Sequence, residues 1–158
     1  MIGGGPTTSQ RADDYLRETS SSMADGYRDD CVIHAVRIAR LLIEEGRAPW
    51  IGKLVRERDG GEWLPLIPLR FPTHTWTTHY VTCLDGRAYD PIAGVPIAID
   101  HYPREVFGIE DDAIETHLDA ETTARLIASG EIRRSFGRAV YREDQLQCPR
   151  SIPPDSRG

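Results

Sequence analysis

Residues 29–46 constrain the fold of this chain most strongly. Asp29 and Asp30 are good N-caps, because a short carboxylate side chain accepts from an N–H group that the first helical turn leaves without a partner. From Cys31 to Glu45 apolar residues then return with a helical period. Cys31, Val32, Ala35, Ile38, Ala39 and Leu42 fall on one face, and Arg37, Arg40, Glu44 and Arg47 on the other. Gly46 supplies a stop. The best helix of the chain thus opens on a cysteine.

Beyond this helix the pattern changes to strand. Residues 50–58, the turn Asp59-Gly60-Gly61 and residues 62–69 read as a hairpin, with Pro65 and Pro68 confining its second arm to an edge or a loop. The strongest strand runs from Trp76 to Leu84, rich in β-branched and aromatic residues. Asp85-Gly86 is a type I′ hairpin signal, and Arg87 to Asp90 forms the return. Loop with a short strand is expected over 91–100. Helices are expected over 11–20, 102–107 and 119–129, and a last strand over 139–142. One main helix followed by an antiparallel sheet and smaller helices is an α+β arrangement. Gly- and Pro-containing ends, residues 1–10 and 147–158, read as flexible tails around a single domain over 11–146.

Size and charge narrow the function classes. A compact chain of 158 residues buries roughly 68–70% of its unfolded surface, enough for a sheltered site without disulfides. The longest run of apolar or proline residues, Leu64 to Leu69, falls far short of the ~18 needed for a membrane helix. A net charge of −6, with arginines interleaved among acids, argues against a nucleic-acid partner. Cys31, Cys83 and Cys148 are an odd number without framework spacing, so free thiols in a reducing compartment are expected. The opening residues lack the pattern of a secretory signal. The chain therefore reads as cytoplasmic, or as an effector delivered into a target cell by another route.

Cys31, His79 and Asp90 have the most chemical logic. A helix N-terminus favours thiolate over thiol and offers N–H groups to a neighbouring oxyanion. The flanking Asp29 and Asp30 act against the thiolate unless they point away. A two-residue turn at Asp85-Gly86 pairs Thr82 with Tyr89 and Val81 with Asp90. His79 then shares a face with Asp90 as its diagonal neighbour, Cα atoms roughly 7–8 Å apart, within reach of an imidazole–carboxylate hydrogen bond. Such a bond fixes a tautomer and supports an imidazolium. The trio reads as nucleophile, base and orienting acid, with no metal or organic cofactor required.

Other residues carry weaker signals. Trp76 stands just before His79 and is a candidate substrate wall. His74 and His101 are rival bases without a carboxylate at a foreseeable distance. His34, one turn after Cys31, reads as partly exposed. Cys31-x-x-His34 with His79-x-x-x-Cys83 is loosely zinc-like. Four residues along a strand span roughly 13 Å, however, too far to share an ion bound at ~2.0–2.3 Å per ligand.

The order of a Cys opening a helix (DDCVIHAVRIARLLIEEG), a His on a strand (THYVTCLDG) and an Asp on the next (RAYDP) resembles the papain-like and transglutaminase-like cysteine hydrolases. The resemblance spans residues 29–91. It implies a helix carrying Cys31 packed on an antiparallel sheet carrying His79 and Asp90, with those residues as nucleophile, base and orienting acid. It also implies an amide hydrolase, either a peptidase or a protein glutamine deamidase, working through a thioester on a protein or peptide. Several bacterial toxins and effectors of that superfamily are small domains. Two features depart from the pattern: Gln10 is the only glutamine or asparagine before Cys31, and no Trp follows His79 directly. The alternatives are a non-enzymatic protein-binding module on the same fold and a structural zinc protein.

Overall fold

The computed structural model describes residues 9–23, 26 and 30–136. The strand expected at 139–142, Cys148, Asp29 and most of the two expected tails lie outside these residues. Helix α1 (Gln10–Ser22) begins where Ser9 Oγ accepts from the Ala12 amide at 3.1 Å. Helix α2 (Cys31–Glu44) begins at Asp30, whose extended backbone lets its carboxylate accept from the Ile33 amide at 2.8 Å. It stops at Gly46, which takes the left-handed conformation at φ 79°. Helix α2 falls where its cap and periodicity place it, while α1 extends past the expected 11–20 at both ends, with Ser9 and Gln10 of the expected tail forming its start.

Strand β1 (Trp50–Val55) departs from the expected long hairpin. Only β2 (Glu57–Arg58) and β3 (Glu62–Trp63) pair across the Asp59–Gly61 turn. Pro65 and Pro68 have no N–H to give, so residues 64–69 cannot carry a ladder. One bridge, between Leu66 and Trp76, survives there. Strand β1 instead pairs antiparallel with β4 (Thr78–Leu84), from Trp50 opposite Cys83 to Val55 opposite Thr78.

The turn after β4 has the expected form. Asp85 and Gly86 both lie at positive φ, 53° and 78°, and β5 (Arg87–Tyr89) returns with Leu84 opposite Arg87 and Thr82 opposite Tyr89. Strand β6 (Ile97–Ala98), helix α3 (Tyr102–Phe107), strand β7 (Glu115–Leu118) and helix α4 (Ala120–Ser129) complete the described elements, with a tight helical turn at Ile132–Phe136. The main sheet has the order β6-β5-β4-β1-β7. Strand β7 has no counterpart in the sequence reading. Its residues, Glu-Thr-His-Leu, are exposed or half-buried at an edge, so they show no apolar alternation.

Every residue of β4 is buried, because both faces of the central strand are covered. Tyr80, Thr82 and Leu84 meet the helical layer. Tyr80 packs with Cys31, Ile132 and Phe136, and Leu84 packs with Ile38, Leu42 and Leu16 of α1. The Thr82 hydroxyl donates to the Ala35 carbonyl at 2.6 Å, which docks α2 on the strand. Val81 and Cys83 point the other way, into a core with Trp76, Tyr102, Val106 and Phe107. His79 has their parity. Among the described residues no helix is long and apolar enough to cross a membrane.

Gly52 is the tightest point of this arrangement. A Cβ built there would lie 2.4 Å from Ile114 Cγ2 and 3.2 Å from Cys83 Sγ. Gly52→Ala is therefore expected to cost about 1–3 kcal/mol through overpacking. The measurement is a lowered urea midpoint, partly restored by adding Ile114→Ala. An unchanged midpoint would mean that β1 is not clamped between these side chains.

Candidate active site

The centre of the site is a hydrogen bond inside the second core. His79 Nε2 lies 2.8 Å from Asp90 Oδ2, and the two side chains are 1% and 3% exposed. Asp90 follows directly on Tyr89, the last residue of β5. The β4–β5 register carries it to the His79 side of the sheet, as the hairpin arithmetic requires. Its backbone turns at once: Asp90 Oδ1 accepts from the Ile92 amide at 2.9 Å, and the Asp90 carbonyl accepts from the Ala93 amide. This local turn fixes the carboxylate. The Tyr102 hydroxyl, at the start of α3, also donates to Oδ2.

These contacts set the charge of Asp90. Burial pushes the Asp90 carboxyl up. Attraction to the imidazolium form of His79 and hydrogen bonds from His79, Tyr102 and Ile92 outweigh it, so the group stays below its ordinary 3.8. Asp90 is thus an ionised acceptor. In the neutral imidazole the network therefore assigns the proton to Nε2 and the lone pair to Nδ1. His79 Nδ1 is buried and has no hydrogen-bond partner. Among the described residues, what distinguishes His79 from the buried His34 and His74 is the carboxylate on its other ring nitrogen. Burial first, then the Asp90 charge and hydrogen bond, raise the Tyr102 phenol well above its ordinary value, so it remains a donor.

Aromatic rings hold the imidazole in place. Trp76 lies 4.6 Å from the His79 ring and Phe107 5.3 Å, both steeply inclined. Trp76 is fully buried. It walls His79 rather than an open cleft.

Cys31 opens α2 and is 2% exposed, packed on the helical side with Tyr80. Helix α2 runs alongside β4 in the same direction, with Ala35 on Thr82 and Leu42 near Leu84. Its first turn therefore lies toward the start of β4, where His79 sits. Strand β5 pairs with β4 only at Thr82, Cys83 and Leu84. Deprotonation of Cys31 or Cys83 would add to what raises the Tyr102 phenol, after burial and Asp90. Cys31 thus belongs to the helical core by packing, on the face of β4 opposite Val81, Cys83 and His79.

The other candidates separate from this centre. His34 is 4% exposed, not partly exposed as the sequence suggests, because α1 lies over it and Tyr15 Oη sits 2.9 Å from its Nδ1. His74 is buried in a ring stack between Phe71 and Trp76. His101 is exposed. Cys83 is fully buried, and burial pushes its thiol up to about 12. Among the described residues no three His, Cys, Asp or Glu side chains are grouped to hold a metal ion. Tyr102 and Phe107 were legible only as helix residues. Nothing in the spacing from Asp90 marks Tyr102 as its partner.

The trio lines neither of two surface cavities. One, of about 460 Å³, lies among Leu69, Arg70, Ile92, Val95, Ile97 and Val106. The other, of about 270 Å³, lies among Ile33, Val36, Arg37, Arg40, Ile132 and Arg133. No family model, curated protein or solved structure matches this chain.

Asp90 ties stability to pH. Its folded-state value lies below the unfolded 3.8, so its contribution is complete above that value and is lost as pH falls through the lower one. Urea midpoints of the native chain are expected to fall on acidification, and Asp90→Asn is expected to remove part of that fall. Identical acid slopes in the two proteins would show that Asp90 is not ionised in the fold.

Proposed function

We propose that this chain is a cysteine-dependent amide hydrolase, a peptidase or a glutamine side-chain deamidase, with Cys31 as nucleophile, His79 as base and Asp90 as orienting acid. The observation that carries this reading is the hydrogen bond from His79 to an ionised Asp90, which leaves the buried Nδ1 with a lone pair and no partner. The order and context of the three residues, which resemble the papain-like and transglutaminase-like hydrolases, point the same way.

The chemistry follows from these roles. His79 Nδ1 takes the Cys31 proton, and the thiolate attacks the amide carbonyl carbon. Backbone N–H groups in the first turn of α2 receive the oxyanion. Asp30 keeps its carboxylate on the Ile33 amide, at the cap. The intermediate collapses, the C–N bond breaks, and the imidazolium returns its proton to the leaving nitrogen. Water, deprotonated by His79, then resolves the thioester to a carboxylic acid and restores the thiol. Because Cys31 and His79 are closed off, a substrate must open the layer over them.

That closure favours one second reading, a protein-binding module whose buried trio serves the core alone. Alkylation of each cysteine against pH, read by mass spectrometry, separates the two. The hydrolase reading predicts that Cys31 reacts below neutral pH and that His79→Gln, which retains an N–H donor for Asp90, abolishes this. Cys83 is expected to stay unmodified until the chain unfolds. A Cys31 that titrates like an ordinary thiol, near ~8.5, in both proteins would overturn the assignment.

A further inference from the structure

The Asp90 carboxylate is more heavily committed than a Cys-His-Asp relay requires. Its Oδ2 accepts from both His79 Nε2 and the Tyr102 hydroxyl, and its Oδ1 from the Ile92 amide. Two of these donors are local to the β4–β5 hairpin and the turn after it. The third comes from a separate element, α3, and its phenol is fully buried. Tyr102 Oη finds its acceptor there, while the ring packs 6.1 Å from Phe107, the residue that also touches the His79 ring.

We infer that Tyr102 is a positioning residue of the site: its hydroxyl holds Asp90 as an ionised, acceptor-only carboxylate and thereby locks His79 with its proton on Nε2 and its lone pair on Nδ1. The inference rests on the Cys31–His79–Asp90 reading for its catalytic meaning, but its structural content stands on the three hydrogen bonds.

The physical argument concerns which partner holds the proton. A buried carboxylate surrounded by apolar rings favours its neutral form unless enough donors reach it. Once protonated, Asp90 would donate to Nε2 rather than accept from it. The imidazole would then carry its proton on Nδ1 and present no base there. Each donor on the carboxylate postpones that reversal to lower pH. Tyr102 is the donor whose removal leaves the hairpin, the Ile92 turn and the His79 contact in place. It cannot compete for the base's task, because burial and the Asp90 charge keep its own proton bound.

Among the described residues, Tyr102 of α3 reaches Asp90 directly, Cys31 of α2 and Cys83 of β4 act on Tyr102, and His74 reaches His79 through the Trp76 ring. Cys83 stays a neutral thiol across the working range, since burial pushes it to about 12. Asp90 is therefore the group through which Tyr102 acts on the acid side of the site.

The test follows the Asp90 carboxyl by carbon NMR against pH, in the full chain, for wild type and Tyr102→Phe. The same proteins are assayed for Cys31 alkylation. Tyr102→Phe is expected to move the Asp90 titration upward and to move the acid limit of Cys31 reactivity upward with it, while reactivity at neutral pH persists. In an Asp90→Asn background, Tyr102→Phe is expected to leave that acid limit unmoved, because the hydroxyl acts through the carboxylate. Should Tyr102→Phe fail to fold, a ring-fluorinated tyrosine at position 102 keeps the shape and donates more strongly. It is expected to move both readouts downward.

An Asp90 titration that ignores both changes at residue 102 overturns the inference. An acid limit that moves equally with Asn at position 90 overturns it as well, since a merely structural effect of the ring would do that. Failure of the parent reading looks different. There, Cys31 reactivity is indifferent to His79→Gln, whatever Tyr102→Phe does to Asp90.

Discussion

An ionised carboxylate taken out of water has to be held by donors, and the folded chain meets that demand at Asp90. Bare burial would drive the group to its neutral form. A backbone amide, an imidazole and a phenol instead converge on its two oxygens. Each donor comes from a different place: the turn after β5, the central strand and helix α3. The carboxylate therefore couples local turn geometry to the packing of distant elements. Removing one donor leaves a buried charge short of a partner, which makes the site and the stability of this core one problem.

The central strand makes that coupling possible. Because β4 is buried on both faces, its alternate residues serve two cores. Thr82 and Leu84 fasten α1 and α2, while His79, Val81 and Cys83 serve the layer built from α3 and the surrounding loops. Helix α2 brings Cys31 to the end of β4 from the helical side. Cys31 and the His79–Asp90 pair thus sit on the two sides of β4, where the packed layers meet. This explains both their rigidity and their closure. Trp76 and Phe107 serve the rigidity, since their rings leave the His79 imidazole little freedom to turn.

Much of this was legible in the sequence, for reasons that are local. The cap at Asp30 and the apolar stripe of α2 are written within one segment. The Asp85-Gly86 turn fixes the β4–β5 register, and that register alone puts His79 and Asp90 on one side. What could not be read depends on contacts between distant segments. Strand β7 exists because β1 offers an edge, not because Glu115 to Leu118 look like a strand. The long hairpin after Trp50 fails because Pro65 and Pro68 break it and β4 is the better partner. His34 looked partly exposed because Tyr15 and α1 cover it only in three dimensions. Tyr102, twelve residues beyond Asp90, carries no pattern that names its partner.

The central claim is that His79 presents an unprotonated Nδ1 to the Cys31 thiol. Nitrogen NMR of the His79 ring in wild type and Cys31→Ala tests it most directly. The account predicts a proton on Nε2 in both proteins and an Nδ1 resonance that shifts clearly when the thiol is removed. A proton on Nδ1, or an Nδ1 resonance indifferent to Cys31, would contradict it.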